Sequence, residues 1–195
     1  MSENPVKWTF IFIAASVIGF ILQQVTDEWV YLAFFPILAL EAPWIFLTSL
    51  FLHADFSHLF FNMFALFFFG TYLERMIGSR PFTLLFLASG FLGNLGYLFT
   101  ASNPMIPAIG ASGAVYGLIG ALATLTPSMT IFIYGLLPVP MIVAAILWGL
   151  LDFIGLFAPS GIAHGAHLAG MIAGVSYGFY LRMKIRRYLS HYTFT

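Results

Sequence analysis

Long apolar runs, broken by short polar or proline-rich joints, make up most of the chain. A helix needs roughly 20 apolar residues to cross about 30 Å of hydrocarbon. The first such run extends from Trp8 to about Val25 and closes on Gln23 and Gln24. A second covers about Phe56 to Ile77 and a third about Phe82 to Phe99, with Gly78 to Pro81 as a tight turn between them. A shorter fourth run starts near Ser112 and ends near Thr126; a fifth covers about Met141 to Phe157 and a sixth about Ile162 to Leu181. The pattern predicts an all-α polytopic membrane protein. It would be a bundle of six transmembrane helices forming a single domain over residues 1–195, with its core at about 8–181 and short tails.

The joints differ in character. Residues 26–55 carry Asp27, Glu28, Glu41 and Asp55, yet FFPILAL and PWIFLTSLF interrupt them. That mixture predicts a long loop with short helices partly immersed at the membrane interface. ASNPMIPAIGA, ahead of the fourth run, is made irregular by its prolines, and Pro127, Pro138 and Pro140 break the helix after it. Lys7 gives the first run the look of a signal peptide. The run is long for one and no cleavage site follows Gln24, so it reads as a retained span.

Composition agrees with the pattern. Of 195 residues, 61% are hydrophobic and 7% charged, against about 25% charged in a soluble domain. Net charge is zero, so nothing points to a nucleic-acid partner. No cysteine is present, which excludes disulfides and thiolate metal sites.

Charge also orients the chain. With six spans, Lys7, Arg75, Arg80, Arg182, Lys184, Arg186 and Arg187 all fall on one side. The positive-inside rule makes that side the cytoplasm and puts both termini there. Five or seven spans would lose the segregation. No targeting extension precedes the first span, which points to a prokaryotic plasma membrane, an organelle membrane being the alternative.

Topology then gathers the chemistry. Ser112 follows the external 3–4 loop, His164 and His167 follow the 5–6 turn, and His53 and His58 lie where the long loop enters the second span. The fourth span, Ser112 to Thr126, is only 15 residues, or about 22 Å at 1.5 Å per residue. Ser112 would therefore sit below the outer surface, at the floor of a wet pit, since irregular backbone at that depth must be buried in protein or line water. Gly113, Gly117 and Gly120 share one face of the fourth span; His167, Gly170, Gly174 and Gly178 share one of the sixth. Small residues let membrane helices approach closely, and aligning the two faces brings Ser112 towards His167. A serine becomes a nucleophile when a neighbouring base takes its proton, and neutral histidine serves near pH 7. A serine in a glycine-rich membrane helix is also explained by packing alone. GASGA does not fit the G-x-S-x-G elbow of soluble hydrolases.

Four motifs carry a family resemblance. GASG at 110–113 resembles the G-x-S-G motif of rhomboid intramembrane serine proteases, and GAHLAGMIAG at 165–174 resembles their A-H-x-x-G-x-x-x-G. HLFFN at 58–62 is similar to their H-x-x-x-N, and GTYLERMIG at 70–78 to their G-x-x-x-E-x-x-x-G. The resemblance implies a Ser-His dyad that cleaves transmembrane helices of membrane proteins near the external membrane face, using no cofactor and no metal. Ser112 would be the nucleophile and His167 the general base. The Ser112 N–H, His58 and Asn62 would form the oxyanion hole. Tyr116 would stack on the histidine, a plain aromatic filler being the alternative. Gly110, Gly113, Gly170 and Gly174 would support the site, and Glu74 would be structural. The implied partners are transmembrane protein substrates and the lipid bilayer.

Asp152, in the fifth span, reads either as a third member of a triad or as a residue that bonds nearby backbone or lines the wet entrance; the family's dyad favours the latter. His53 reads as a loop-backbone partner, and His164 as having no second catalytic role. One departure stands out: family members often carry Trp-Arg in the first loop, whereas Trp44 is followed here by Ile45. A non-catalytic rhomboid-like protein that binds transmembrane helices is the alternative function. A metal or haem site on His53, His58, His164 and His167 is a more distant one.

Overall fold

A computed structural model of the chain describes residues 5–133, 135–158 and 160–192, with side chains to Arg187; the His191 side chain, expected to be solvated, lies outside the described residues. Helix α1 runs Trp8–Val25 and has no acidic residue in its first turn. Its cap comes from far along the chain. Glu74 Oε1 accepts the N–H groups of Lys7 at 3.0 Å and Trp8 at 2.9 Å, and Oε2 accepts the Thr9 N–H at 2.9 Å and the Thr9 hydroxyl at 2.8 Å. The Ser79 hydroxyl donates to the same carboxylate at 2.6 Å. One buried anion thus satisfies the orphan donors of a helix N-terminus, where the helix dipole also favours it.

The residues from 26 to 55 form 3-10 turns at Asp27–Leu32, Pro36–Leu38 and Ser49–Phe51 around a short helix α2, Ile45–Thr48. Helix α3, Phe56–Ala65, is capped by Asp55, whose side chain accepts the His58 N–H at 2.8 Å. A π turn at Leu66–Gly70 joins it to α4, Thr71–Ile77, as one continuous rod. Gly78, at φ +87°, reverses the chain alone. The turn is therefore shorter than the four residues expected. Ser79, Arg80 and Pro81 already belong to α5, Ser79–Thr100, where a first-turn proline lacks only an N–H that would have had no partner.

Helix α6 is Ser112–Leu125, α7 Met141–Gly155 and α8 His164–Tyr192. Between α6 and α7 the prolines do more than break a helix: β1, Thr130–Ile133, pairs antiparallel with β2, Leu137–Pro140. Each strand has a free edge, which is where a strand tolerates proline. Helix α8 extends beyond the expected end at Leu181, through its four basic residues.

Among the described residues, α1, the α3–α4 rod and α5 are long and apolar enough to cross a membrane; α6 and α7 are shorter. Helix α6 is the central element, buried along nearly its whole length and packed mainly on α8 and α5. Large apolar side chains such as Phe60, Phe64, Leu147, Leu150 and Ile172 face outward, as lipid-facing positions do.

The α6–α8 contact is backbone on backbone. A methyl group added at Gly170 would fall on the Gly113 carbonyl, and one at Gly174 on the Gly117 carbonyl. From α5, Gly93 lies against Gly113 and the Ala166 carbonyl, so three helices converge at that level. The α6 C-terminus is closed by Arg182, which donates to the Thr124 carbonyl at 3.2 Å.

Gly174→Ala is expected to destabilise the protein by about 1–3 kcal/mol or more, because the new methyl meets a carbonyl that cannot rotate away. Ile172→Ala, on the 65% exposed face of the same helix, should change stability by about 0.5 kcal/mol or less. Thermal unfolding in detergent compares the two; equal shifts would contradict the packing account.

Candidate active site

Ser112 is the first residue of α6, and the irregular stretch before it is held from several sides. Phe34 and Ala108 exchange backbone hydrogen bonds at 3.2 and 2.9 Å, and the Gly110 N–H donates to the Ser49 carbonyl at 2.9 Å. Asn94 of α5 donates to the Phe46 carbonyl at 2.9 Å and the Ser49 hydroxyl at 2.8 Å. The two connections thus brace each other. Gly110 has φ +118°, and a methyl there would come within 2.7 Å of the His58 ring, so only glycine fits.

Ser112 Oγ and His167 Nε2 are 2.8 Å apart. The Tyr116 ring, one turn along α6, stacks on the His167 imidazole with centroids 4.3 Å apart and planes 11° apart. On the other side of the imidazole, Nδ1 lies 2.9 Å from Asp152 Oδ1, which also lies 2.6 Å from His164 Nδ1. His164 Nε2 is 2.7 Å from the Ser160 hydroxyl. Ser112 and His167 are both partly open to solvent, whereas Asp152 is buried.

The head of α6 presents donors. No side chain caps it, and its first backbone bond runs from the Val115 N–H to the Ala111 carbonyl at 2.9 Å, leaving the N–H of Ser112 ahead of it. His58 Nδ1 accepts the Ala54 N–H at 3.3 Å, which leaves the ring proton on Nε2, the edge facing Gly110. Asn62 spends one amide hydrogen on the His58 carbonyl at 2.9 Å and keeps a second.

The family model for the Rhomboid domain matches residues 40–184. The chain belongs to the rhomboid family. It is 32% identical over 201 residues to the putative rhomboid protease YdcA of Bacillus subtilis (strain 168), covering 96% of this chain and 89% of that one. It is 32% identical over 179 residues to the rhomboid protease GluP of the same bacterium, covering 86% of this chain but 33% of GluP. The rhomboid protease GlpG of Salmonella choleraesuis (strain SC-B67) is 30% identical over 197 residues, covering 94% of this chain and 66% of its own. The chain thus spans a third of the length of GluP and about two thirds of GlpG. Family membership and the apolar helices together make this rhomboid a multi-pass membrane protein.

Other expected positions fall as follows. Glu74 is the α1 cap described above. Ile45, where the family often has arginine, is buried with Phe34, Phe46 and Ala108, so apolar packing closes the loop there. The Trp44 indole N–H donates to the Tyr31 carbonyl at 3.0 Å. At His53 it is the backbone that is bonded: Gln23 of α1 accepts its N–H at 2.9 Å and donates to its carbonyl at 3.1 Å. Its imidazole is fully buried, edge-on to the His58 ring at 5.2 Å, and makes no hydrogen bond.

Asp152, His164 and His167 are the grouping among the described residues that could hold a metal ion. Their O–N spacings of 2.6 and 2.9 Å are hydrogen-bond lengths, shorter than the roughly 3.3 Å edge of a tetrahedral zinc site. His164, expected to have no second catalytic role, and Ser160 both join this hydrogen-bonded cluster. The available signal was the i, i+3 spacing of His164 and His167, which puts both on the α8 face towards Asp152.

Burial, and then the nearby His58, lower the His53 pKa from 6.5 to about 3. The folded protein therefore resists protonation that the unfolded chain accepts between those values. His53 contributes fully to stability above pH 6.5, and that contribution is lost as pH falls from 6.5 towards 3. His53→Phe should flatten the fall of Tm between pH 7 and about pH 4. An unchanged slope would contradict the assignment.

Proposed function

We propose that this rhomboid is an intramembrane serine endopeptidase that cleaves transmembrane helices near the external membrane face, with Ser112 as nucleophile and His167 as general base. The observation that carries the reading is the 2.8 Å contact between Ser112 Oγ and His167 Nε2 beneath the stacked Tyr116 ring. The named proteases among its relatives support the reaction class.

In this reading Ser112 Oγ attacks the scissile carbonyl while His167 Nε2 takes its proton, then passes it to the leaving amine. Water entering from outside hydrolyses the acyl-enzyme by the same steps in reverse roles. The oxyanion would be met by the Ser112 N–H, His58 Nε2–H and the second amide hydrogen of Asn62. In a low-dielectric site each such donor is worth about 2.7–4 kcal/mol of barrier. The positive end of α6 favours the same charge. An intact helix hides its carbonyls, so the substrate must unwind locally, which small or helix-breaking residues assist. Phe61 on α3 and Phe153 on α7, 63% and 54% exposed, suit a lateral gate between those helices.

Six crossings of a prokaryotic plasma membrane, with both termini cytoplasmic, fit the charge segregation. The 14 residues of α6 reach about 21 Å, short of the bilayer, which recesses Ser112.

The test uses purified protein in liposomes with a reporter transmembrane segment that carries small residues near its external end. Wild type should cleave it. Ser112→Ala and His167→Ala should fall to background with unchanged Tm, and Asn62→Ala should lose about 10²–10³ in kcat. Undiminished cleavage by Ser112→Ala would overturn the reading. A folded wild type that binds the segment and never cuts it would favour the non-catalytic alternative.

A further inference from the structure

A serine and a histidine in contact do not by themselves fix which ring nitrogen carries the proton. If Nε2 held it, His167 could not accept from Ser112. Something beyond the pair has to set the tautomer, and the surroundings of His167 Nδ1 supply a candidate.

Asp152 is 4% exposed and sits on α7 with Oδ1 between two imidazoles, 2.9 Å from His167 Nδ1 and 2.6 Å from His164 Nδ1. An ionised carboxylate only accepts, so each Nδ1 must carry its proton. That leaves Nε2 of His167 as an acceptor aimed at the Ser112 hydroxyl, and Nε2 of His164 as an acceptor for the Ser160 hydroxyl, 2.7 Å away. Every hydrogen bond in the chain then runs in a consistent direction.

The surrounding helices are shaped for this. Gly155 lies one turn beyond Asp152 on α7, and a methyl there would clash with the His164 ring. The absent side chain lets the imidazole pack directly against α7. Two i, i+3 pairs, Asp152 with Gly155 and His164 with His167, interlock between neighbouring helices.

We propose that Asp152 is a positioning residue for the Ser112–His167 pair and is itself held by His164 and Ser160. The site then works as a hydrogen-bonded chain through Ser112, His167, Asp152 and His164. This rests on the protease reading above. When the Ser112 proton moves to His167 Nε2, the imidazolium forms 2.9 Å from a carboxylate. The proton stays on His167 until the leaving amine takes it, and Asp152 is never protonated.

The experiment measures liposome cleavage across pH for wild type, Ser112→Ala, Asp152→Asn and His164→Ala, with Tm recorded for each. Asp152→Asn keeps the shape and an acceptor oxygen but removes the charge. It should lower kcat about 10²–10⁴-fold with KM within about twofold. The acid limb of its pH profile should move to lower pH, because the imidazolium has lost its counter-charge. The other titratable groups facing this cluster are Tyr116 on α6 and, around His58, the head of α3 with Asp55; of these Tyr116 interacts with Asp152 itself, and a phenol carries no charge in the acid range being measured. His164→Ala should lower kcat in the same direction by a smaller factor.

A merely structural Asp152 would lower the folded fraction and leave the acid limb in place, and that result overturns the proposal. So does wild-type kcat in Asp152→Asn while Ser112→Ala is inactive. Cleavage that survives Ser112→Ala overturns the protease reading instead, and this inference with it. The wild-type protein provides a second arm that needs no folded variant. With isotope-labelled histidine at neutral pH, NMR should find the His167 proton on Nδ1, and a proton on Nε2 would overturn the proposal.

Discussion

The bare backbone contact between α6 and α8 is what the rest of the structure depends on. In lipid no hydrophobic force drives helices together, so they associate by close packing. Here the contact is as close as it can be, with Gly170 lying on the Gly113 carbonyl and Gly174 on the Gly117 carbonyl. Ser112 precedes Gly113 by one residue, and His167 precedes Gly170 by three. The hydroxyl–imidazole distance is therefore set by the glycine contact immediately below it. Gly93 of α5 meets the same point and stops the pair from sliding.

A second constraint follows from starting a helix inside the bundle. The chain leading to Ser112 is irregular, and its polar backbone must find partners inside protein. It finds them in the connection between α1 and α3, through the Phe34–Ala108 exchange and the Ser49 carbonyl, with Asn94 bridging from α5. Gln23 ties the same connection to α1 at the His53 backbone. At the far end of the bundle Glu74 joins the starts of α1 and α5 through five hydrogen bonds. These buried polar side chains are spent on backbone ends and on one another's loops. Among the described residues the His53 imidazole and the Ser16 and Ser89 hydroxyls are exceptions, buried with no hydrogen-bond partner.

What could be read from the sequence follows from which forces are local. Apolar runs and their breaks gave the ends of α1, the α3–α4 rod and the start of α6 nearly to the residue, since lipid imposes length and composition directly. Glycine periodicity pointed to the α6 and α8 faces that meet. The glycines of α5, at Gly90, Gly93 and Gly96, carry the same signal at i, i+3 and i+6. The hairpin after α6 was hidden because Pro138 and Pro140 argue against a strand unless both neighbours are edges. The approach of Asp152 to His164 and His167 depends on how the turn after α7 folds back, and spacings of 12 and 15 residues do not fix that. The Glu74 cap is equally non-local, since nothing in α1 announces an acceptor 66 residues away.

The central claim is that this packing produces an activated serine at position 112. The most direct measurement is to treat the detergent-purified wild-type protein with a fluorophosphonate and locate the adduct by mass spectrometry. The account predicts a single modified residue, Ser112, with no adduct in His167→Ala. Folded wild-type protein that a small probe leaves unmodified, or an adduct on a different serine, would contradict it.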